Sequence, residues 1–151
     1  MTLAYYDLSR QNVSTQDEDN PGIQVQVGEQ TSSGIEFDLI GEPLPGWNII
    51  ANYAYTDASI NRDNTFAVGT RLQNVPQQSA NLWTSYEFQS GSLEGFGIGA
   101  GGSFVGERYG SIRNSFVIPA YTRTDAAIFY RRDVFNAQLY FENLFDILYF
   151  E

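Results

Sequence analysis

The chain contains no cysteine, no histidine and no lysine. Without cysteine there is neither a disulfide framework nor a thiolate metal site. Without histidine the usual general base and the commonest transition-metal ligand are missing. The only basic side chains are eight arginines, set against eighteen Asp and Glu, for a formal charge of −10 over 151 residues. That balance argues against nucleic acid as a partner, because phosphates require basic contacts. No run of about eighteen apolar residues occurs, so no transmembrane helix is expected. Tyr5, Tyr6, Asp7 and Arg10 interrupt anything that would read as a secretory leader. The negative mean hydropathy leaves a transmembrane barrel open, since lipid-facing and lumen-facing residues alternate along its strands.

What the chain has is aromatics, with ten Tyr, eleven Phe and two Trp, and a period of two. The pattern is clearest from Gly34 to Asp57. Trp47, Ile49, Ala51, Tyr53 and Tyr55 share one parity, and Asn48, Asn52 and Thr56 hold most of the other. Before them Ile35, Phe37 and Leu39 alternate with Glu36 and Asp38. Successive side chains of a strand point to opposite faces, so this is a hairpin with one apolar and one polar side. The same alternation recurs from Pro76 to Phe88, from Gly95 to Phe104, from Tyr121 to Arg131 and from Phe135 to Glu142. Thr2 to Val13 reads as a further strand of mixed character. Gly97, Gly99 and Gly101 on one face predict close approach of something inside that face.

About seven strands of roughly ten residues result, with no convincing helix. Polar connections at 14–28, 58–75 and 107–119 alternate with short ones at 41–46, 89–94 and 132–133. Ile23, Val25 and Val27 give the first of these a short ladder of its own. Short turns on one rim and long loops on the other are the layout of outer-membrane barrels. A soluble β-sandwich, of carbohydrate-binding or adhesin type, fits the alternation too. Two features favour the barrel. Aromatics near strand ends, such as Trp47, Tyr55, Phe88, Phe96, Phe104, Tyr130 and Phe135, match interfacial girdles. The opposite face carries charge in mid-strand at Glu36, Asp38, Glu87, Arg123, Asp125 and Glu142. Single-chain bacterial barrels have an even number of strands from eight upward, and an open edge is costly in lipid. Seven strands therefore imply either an eighth strand, with 22–28 the candidate for a small complete barrel, or a piece of a larger one. The stop soon after Asn143-Leu144-Phe145-Asp146 favours the piece.

Gly34-Ile35-Glu36-Phe37-Asp38, the turn Gly41-Glu42-Pro43-Leu44-Pro45-Gly46-Trp47 and Ala51-Asn52-Tyr53-Ala54-Tyr55-Thr56-Asp57 resemble the C-terminal barrel of TonB-dependent siderophore receptors. Asn74-Val75-Pro76, Val105-Gly106-Glu107-Arg108, Pro119-Ala120-Tyr121-Thr122-Arg123-Thr124-Asp125-Ala126 and Asn143-Leu144-Phe145-Asp146 continue the likeness in order, over nearly the whole chain. The resemblance implies a twenty-two-stranded barrel around an N-terminal plug, of which residues 1–151 would be late strands without the plug, the TonB box or the final strand. It implies a bacterial outer-membrane location, with lipid, the plug, the remaining strands and TonB as partners. It also implies a ferric siderophore as the transported ligand rather than a resident cofactor.

No nucleophile–base pair or metal cluster emerges, so no enzymatic role is expected. The resemblance turns the long loops outward. Arg62, Arg71, Arg108 and Arg113 then become candidates to attract an anionic ferric chelate through charge-assisted hydrogen bonds. The competing reading pairs them with the loop acids Asp57, Asp63 and Glu107. Glu36, Asp38, Glu87, Arg123 and Asp125 are expected to line the lumen or touch the plug, which the glycine face of 97–101 would approach closely.

Overall fold

Alternating side chains can bury one face only if the chain turns back on itself, and here it does so repeatedly. The computed structural model describes residues 1–17, 19–20 and 22–150, with nothing said of the Val27 side chain. Seven strands run as one antiparallel meander in chain order: β1 (Thr2–Gln16), β2 (Gln24–Leu44), β3 (Trp47–Arg62), β4 (Gln78–Glu87), β5 (Phe96–Val105), β8 (Tyr121–Arg132) and β9 (Phe135–Phe141). β6 (Arg108–Tyr109) and β7 (Val117–Ile118) form a separate small hairpin within the loop between β5 and β8. One three-residue 3-10 turn, Gly91–Leu93, interrupts the connection between β4 and β5. Among the described residues no second sheet covers either face, which excludes the β-sandwich. β1 and β9 sit at opposite ends of the sheet, so the seven strands form an open part of a barrel wall.

Directly paired residues share a face, and the register therefore assembles each face row by row. The apolar face starts with Leu3↔Phe37↔Tyr53↔Ala80↔Phe104 and continues through Leu39↔Ala51↔Leu82↔Gly102. It ends with Trp47↔Tyr86↔Ile98↔Ile128↔Leu139. Trp47, Tyr53, Tyr55, Leu82, Ile98, Ile128 and Leu139 are all left exposed by the sheet itself. Aromatics gather at the two ends of this face, with Tyr5, Tyr53, Tyr55 and Phe104 above and Trp47, Tyr86, Phe96 and Tyr130 below. Small and aliphatic side chains, among them Ala51, Leu82, Ala100 and Ala126, fill the middle. At about 3.3 Å per residue, Trp47 to Tyr55 covers roughly 26 Å along the strand, or roughly 20 Å of height at a tilt near 40°. That is close to the apolar band of an outer-membrane barrel. Beyond the row Tyr5↔Ile35↔Tyr55 the same side turns polar at Asp7↔Ser33↔Asp57, which marks where hydrocarbon ends.

Several expected boundaries move. The segment 14–28 is mostly ladder rather than loop. Ser14↔Gln26, Thr15↔Val25 and Gln16↔Gln24 pair after irregularities around Val13, next to Asn12 with its positive φ of 58°. Within the candidate segment 22–28, residues from Gln24 onward open β2 and supply no eighth strand. Of the polar centre expected there, Glu18 and Pro21 lie outside the described residues, as does Glu151 at the end. β3 likewise continues through Ala58 to Arg62. Polar composition reads as loop, but outside the bilayer a ladder needs backbone partners and no apolar face. β1, β2 and β3 accordingly have 15, 21 and 16 residues, while β4 and β5 keep the expected ten. The turn between β8 and β9 is Asp133–Val134 rather than 132–133, because Arg132 still pairs with Phe135. The tight turn after Leu44 rests on Gly46, whose φ of +80° and closeness to the Glu87 carbonyl exclude a side chain. Its N–H donates to Glu42 Oε1 at 2.8 Å.

Candidate functional site

The face opposite the aromatics carries the polar rows. Asp38↔Asn52↔Asn81↔Ser103↔Arg123 crosses five strands, and Asn81 donates to Asn52 Oδ1 at 2.9 Å. Glu36, Asp38, Glu87, Arg123 and Asp125 all fall on this side by register, as the alternation requires. Three ion pairs occur among the described residues, and all lie here. Arg131 meets Glu87 at 3.3 Å near the short-turn rim. Arg123 holds Asp125 at 3.2 Å and Glu142 at 2.6 Å.

The Arg123 cluster is the most densely bonded part of the polar face. Asp125 is 5% exposed and accepts from Arg123, from the Tyr140 hydroxyl at 3.0 Å and from the Asn143 N–H at 2.9 Å. A buried carboxylate is tolerable only when paired and hydrogen-bonded, and three donors meet that need. Asn143, at φ 53°, leaves the ladder there, and its side-chain amide exchanges two hydrogen bonds with the Ile147 backbone. The chain beyond returns to the cluster. Tyr149 stacks on Tyr121 with ring centroids 4.6 Å apart and accepts from Arg123 at 3.4 Å.

The glycine face has an occupant from the sheet itself. Gly97, Gly99 and Gly101 face the polar side, and a Cβ there would run into the Phe129 ring at Gly97 and the Trp83 indole at Gly99 and Gly101. Trp83 in turn leans on Tyr140, 5.8 Å between centroids. Tyr6 repeats the arrangement over Gly34, its hydroxyl reaching the Thr56 hydroxyl at 2.9 Å. Neighbouring aromatic rings, with the Leu82 carbonyl against Gly101 and the Tyr55 carbonyl against Gly34, account for these glycines without a body outside the sheet.

At the long-loop rim the four candidate arginines part company. Arg62 ends β3, exposed and opposite Glu29. Arg113 is exposed in the β6–β7 loop. Arg71 is half-buried, with its guanidinium 5.6 Å from the centre of the Tyr109 ring, within cation–π range. Arg108 is 5% exposed, donating from Nε to Asn74 Oδ1 at 2.7 Å and from Nη2 to the Phe150 carbonyl at 2.6 Å. None of the four forms an ion pair with Asp57, Asp63 or Glu107 among the described residues. Asp63 serves the backbone instead. Burial works to raise its carboxyl pKa, but the N–H groups of Thr65 and Phe66 and the Thr15 hydroxyl outweigh it and hold the group below its ordinary value.

The sequence assigns no site role to Asn74, which enters only through the resemblance, or to Asn114. Both have positive φ, 60° and 52°, the left-handed region that asparagine tolerates better than most residues. Asn114 brackets the Arg71 backbone, accepting its N–H at 3.2 Å and donating to its carbonyl at 2.9 Å. An asparagine in a polar loop was the available signal. Tyr140 and Tyr149 gave none, because tyrosine alternation does not say which hydroxyl meets a carboxylate.

Residues 1–144 match the family model described as TonB dependent receptor-like, beta-barrel. Over 154 aligned residues the chain is 42% identical to the metal-pseudopaline receptor CntO of Pseudomonas aeruginosa, covering all of this chain and 22% of that protein. It is 34% identical to the ferrichrome outer membrane transporter/phage receptor of Escherichia coli, covering 97% of this chain and 20% of that one. The solved siderophore receptor PiuA from Acinetobacter baumannii superposes with a TM-score of 0.83 at 30% identity, over 96% of this chain and 22% of the other. The chain thus spans about a fifth of the length of the curated relatives it matches.

Proposed function

Because this chain belongs to the TonB-dependent receptor β-barrel family of the bacterial outer membrane, we propose that it supplies part of the wall of a receptor that takes up ferric siderophores. The observation that carries this reading is the division of one continuous sheet into an apolar, aromatic-edged face and a face with paired charges. In such a receptor the first meets lipid and the second faces the lumen. Glu36, Asp38, Glu87, Arg123 and Asp125 then line the lumen and meet a plug domain, and the remaining strands of the barrel join at β1 and β9. TonB would supply the energy through parts of the receptor outside these strands.

Ligand capture belongs to the long-loop rim. Arg71, with Tyr109 beneath its guanidinium, offers a cation and an aromatic ring together, which suits an anionic ferric chelate. Arg62 and Arg113 are exposed and add positive charge to an otherwise acidic rim. Against the chain's acidic balance, these arginines are where an anion is drawn in.

A deletion strain lacking the full receptor tests this. It should fail to grow when ferric siderophore is the sole iron source, regain growth with the intact gene, and lose it again when TonB is absent. Growth that persists without TonB would remove the uptake reading.

A further inference from the structure

Arg108 is buried, yet no carboxylate lies in ion-pair range among the described residues, and its Nη1 has no hydrogen-bond partner. A buried guanidinium is costly unless its donors are engaged, so the contacts it does make identify what it is there to hold. Its Nε grips the side chain of Asn74, while the Asn74 N–H donates to the carbonyl of Tyr109 at 2.8 Å. Asn74 is therefore held at two points by consecutive residues of β6. Three residues earlier, Asn114 from the same hairpin brackets the Arg71 backbone on both sides. Tyr109, which takes the Asn74 N–H on its carbonyl, presents its ring to the Arg71 guanidinium.

We propose that Arg108 is a positioning residue for Arg71. By fixing Asn74 against β6 it sets the loop from 63 to 77 so that the Arg71 guanidinium rests over Tyr109, and it does not touch the ligand itself. The inference rests on the reading of Arg71 as an anion contact. It divides the four arginines into three that face outward and one that is a strut. The Nη2 bond to the Phe150 carbonyl extends the same strut to the segment following β9, so two loops and that segment share one anchor.

The test uses the intact receptor in outer-membrane vesicles and needs no ligand, so its outcome stands apart from any uptake result. Phenylglyoxal, which reacts with accessible guanidinium groups, is applied to wild type, Arg108→Met and Asn74→Gly, and modification is mapped by mass spectrometry. Asn74→Gly keeps the positive φ at no steric cost and removes only the side-chain acceptor. It decides the matter even where Arg108→Met fails to fold. The expected result is a several-fold rise in Arg71 modification in both variants with Arg62 unchanged. Unchanged Arg71 in Asn74→Gly, or an equal rise at Arg62, overturns the proposal, the latter because it reports general loosening.

Discussion

The indole of Trp83 on β4 lies across the backbone of Gly101, its direct partner on β5, in the space a larger side chain would occupy. Gly101→Val is therefore expected to destabilise the folded receptor by about 1–3 kcal/mol through overpacking. Gly102→Ala, on the opposite face with the Arg123 carbonyl 3.5 Å from the added Cβ, should be nearly neutral. Urea titration of the folded, heat-modifiable band in lipid measures both.

Asp125 and Arg123 are coupled through the 3.2 Å ion pair and share their surroundings with Tyr140 and Asn143. Removing Asp125 leaves Arg123 with Glu142 alone, at 2.6 Å, and takes the acceptor from the Tyr140 hydroxyl and the Asn143 N–H. Asp125→Ala should cost about 3 kcal/mol, toward the lower end for a buried pair because the Arg123 side chain keeps 22% exposure. Adding Arg123→Met should recover part of that loss. A double-mutant cycle with no coupling would show that the two act separately.

Asp63 makes the rim pH-sensitive on the acid side. Its folded pKa lies below its ordinary value, so its contribution is fully present above the unfolded pKa of about 4 and is lost as pH falls through the lower folded value. The protection factors of the Thr65 and Phe66 amides against hydrogen exchange, both of which donate to Asp63, should fall below about pH 4. Asp63→Asn should flatten that dependence.

Strand order and, from Ile35 onward, the face of the mid-strand residues were legible because hydrocarbon enforces a strict period of two between Trp47 and Tyr55 and in their neighbours, whereas the mixed faces of β1 did not show its parity. Beyond Tyr55 the enforcement stops, and Thr15, Gln16 and Ser59 sit in a ladder that their composition does not announce. Gly97, Gly99 and Gly101 were legible as points of close approach. Their occupants were not, since Trp83 and Phe129 reach them through a register that sequence does not state. The arginines of the rim illustrate the same limit. Arg71 and Arg108 look alike in the chain, but Arg71 is half-buried over Tyr109 and bracketed by Asn114, while Arg108 is buried on Asn74.

The most direct test of the account places one charge on either side of β3 at mid-height. Ala51 pairs with Leu39 and Leu82 on the apolar face, and its neighbour Asn52 pairs with Asp38 and Asn81 on the polar face. In lipid-folded receptor, Ala51→Arg should lower unfolding free energy by about 2–4 kcal/mol, while Asn52→Arg should change it little. Equal tolerance at the two positions would contradict the assignment of the aromatic-edged face to the membrane.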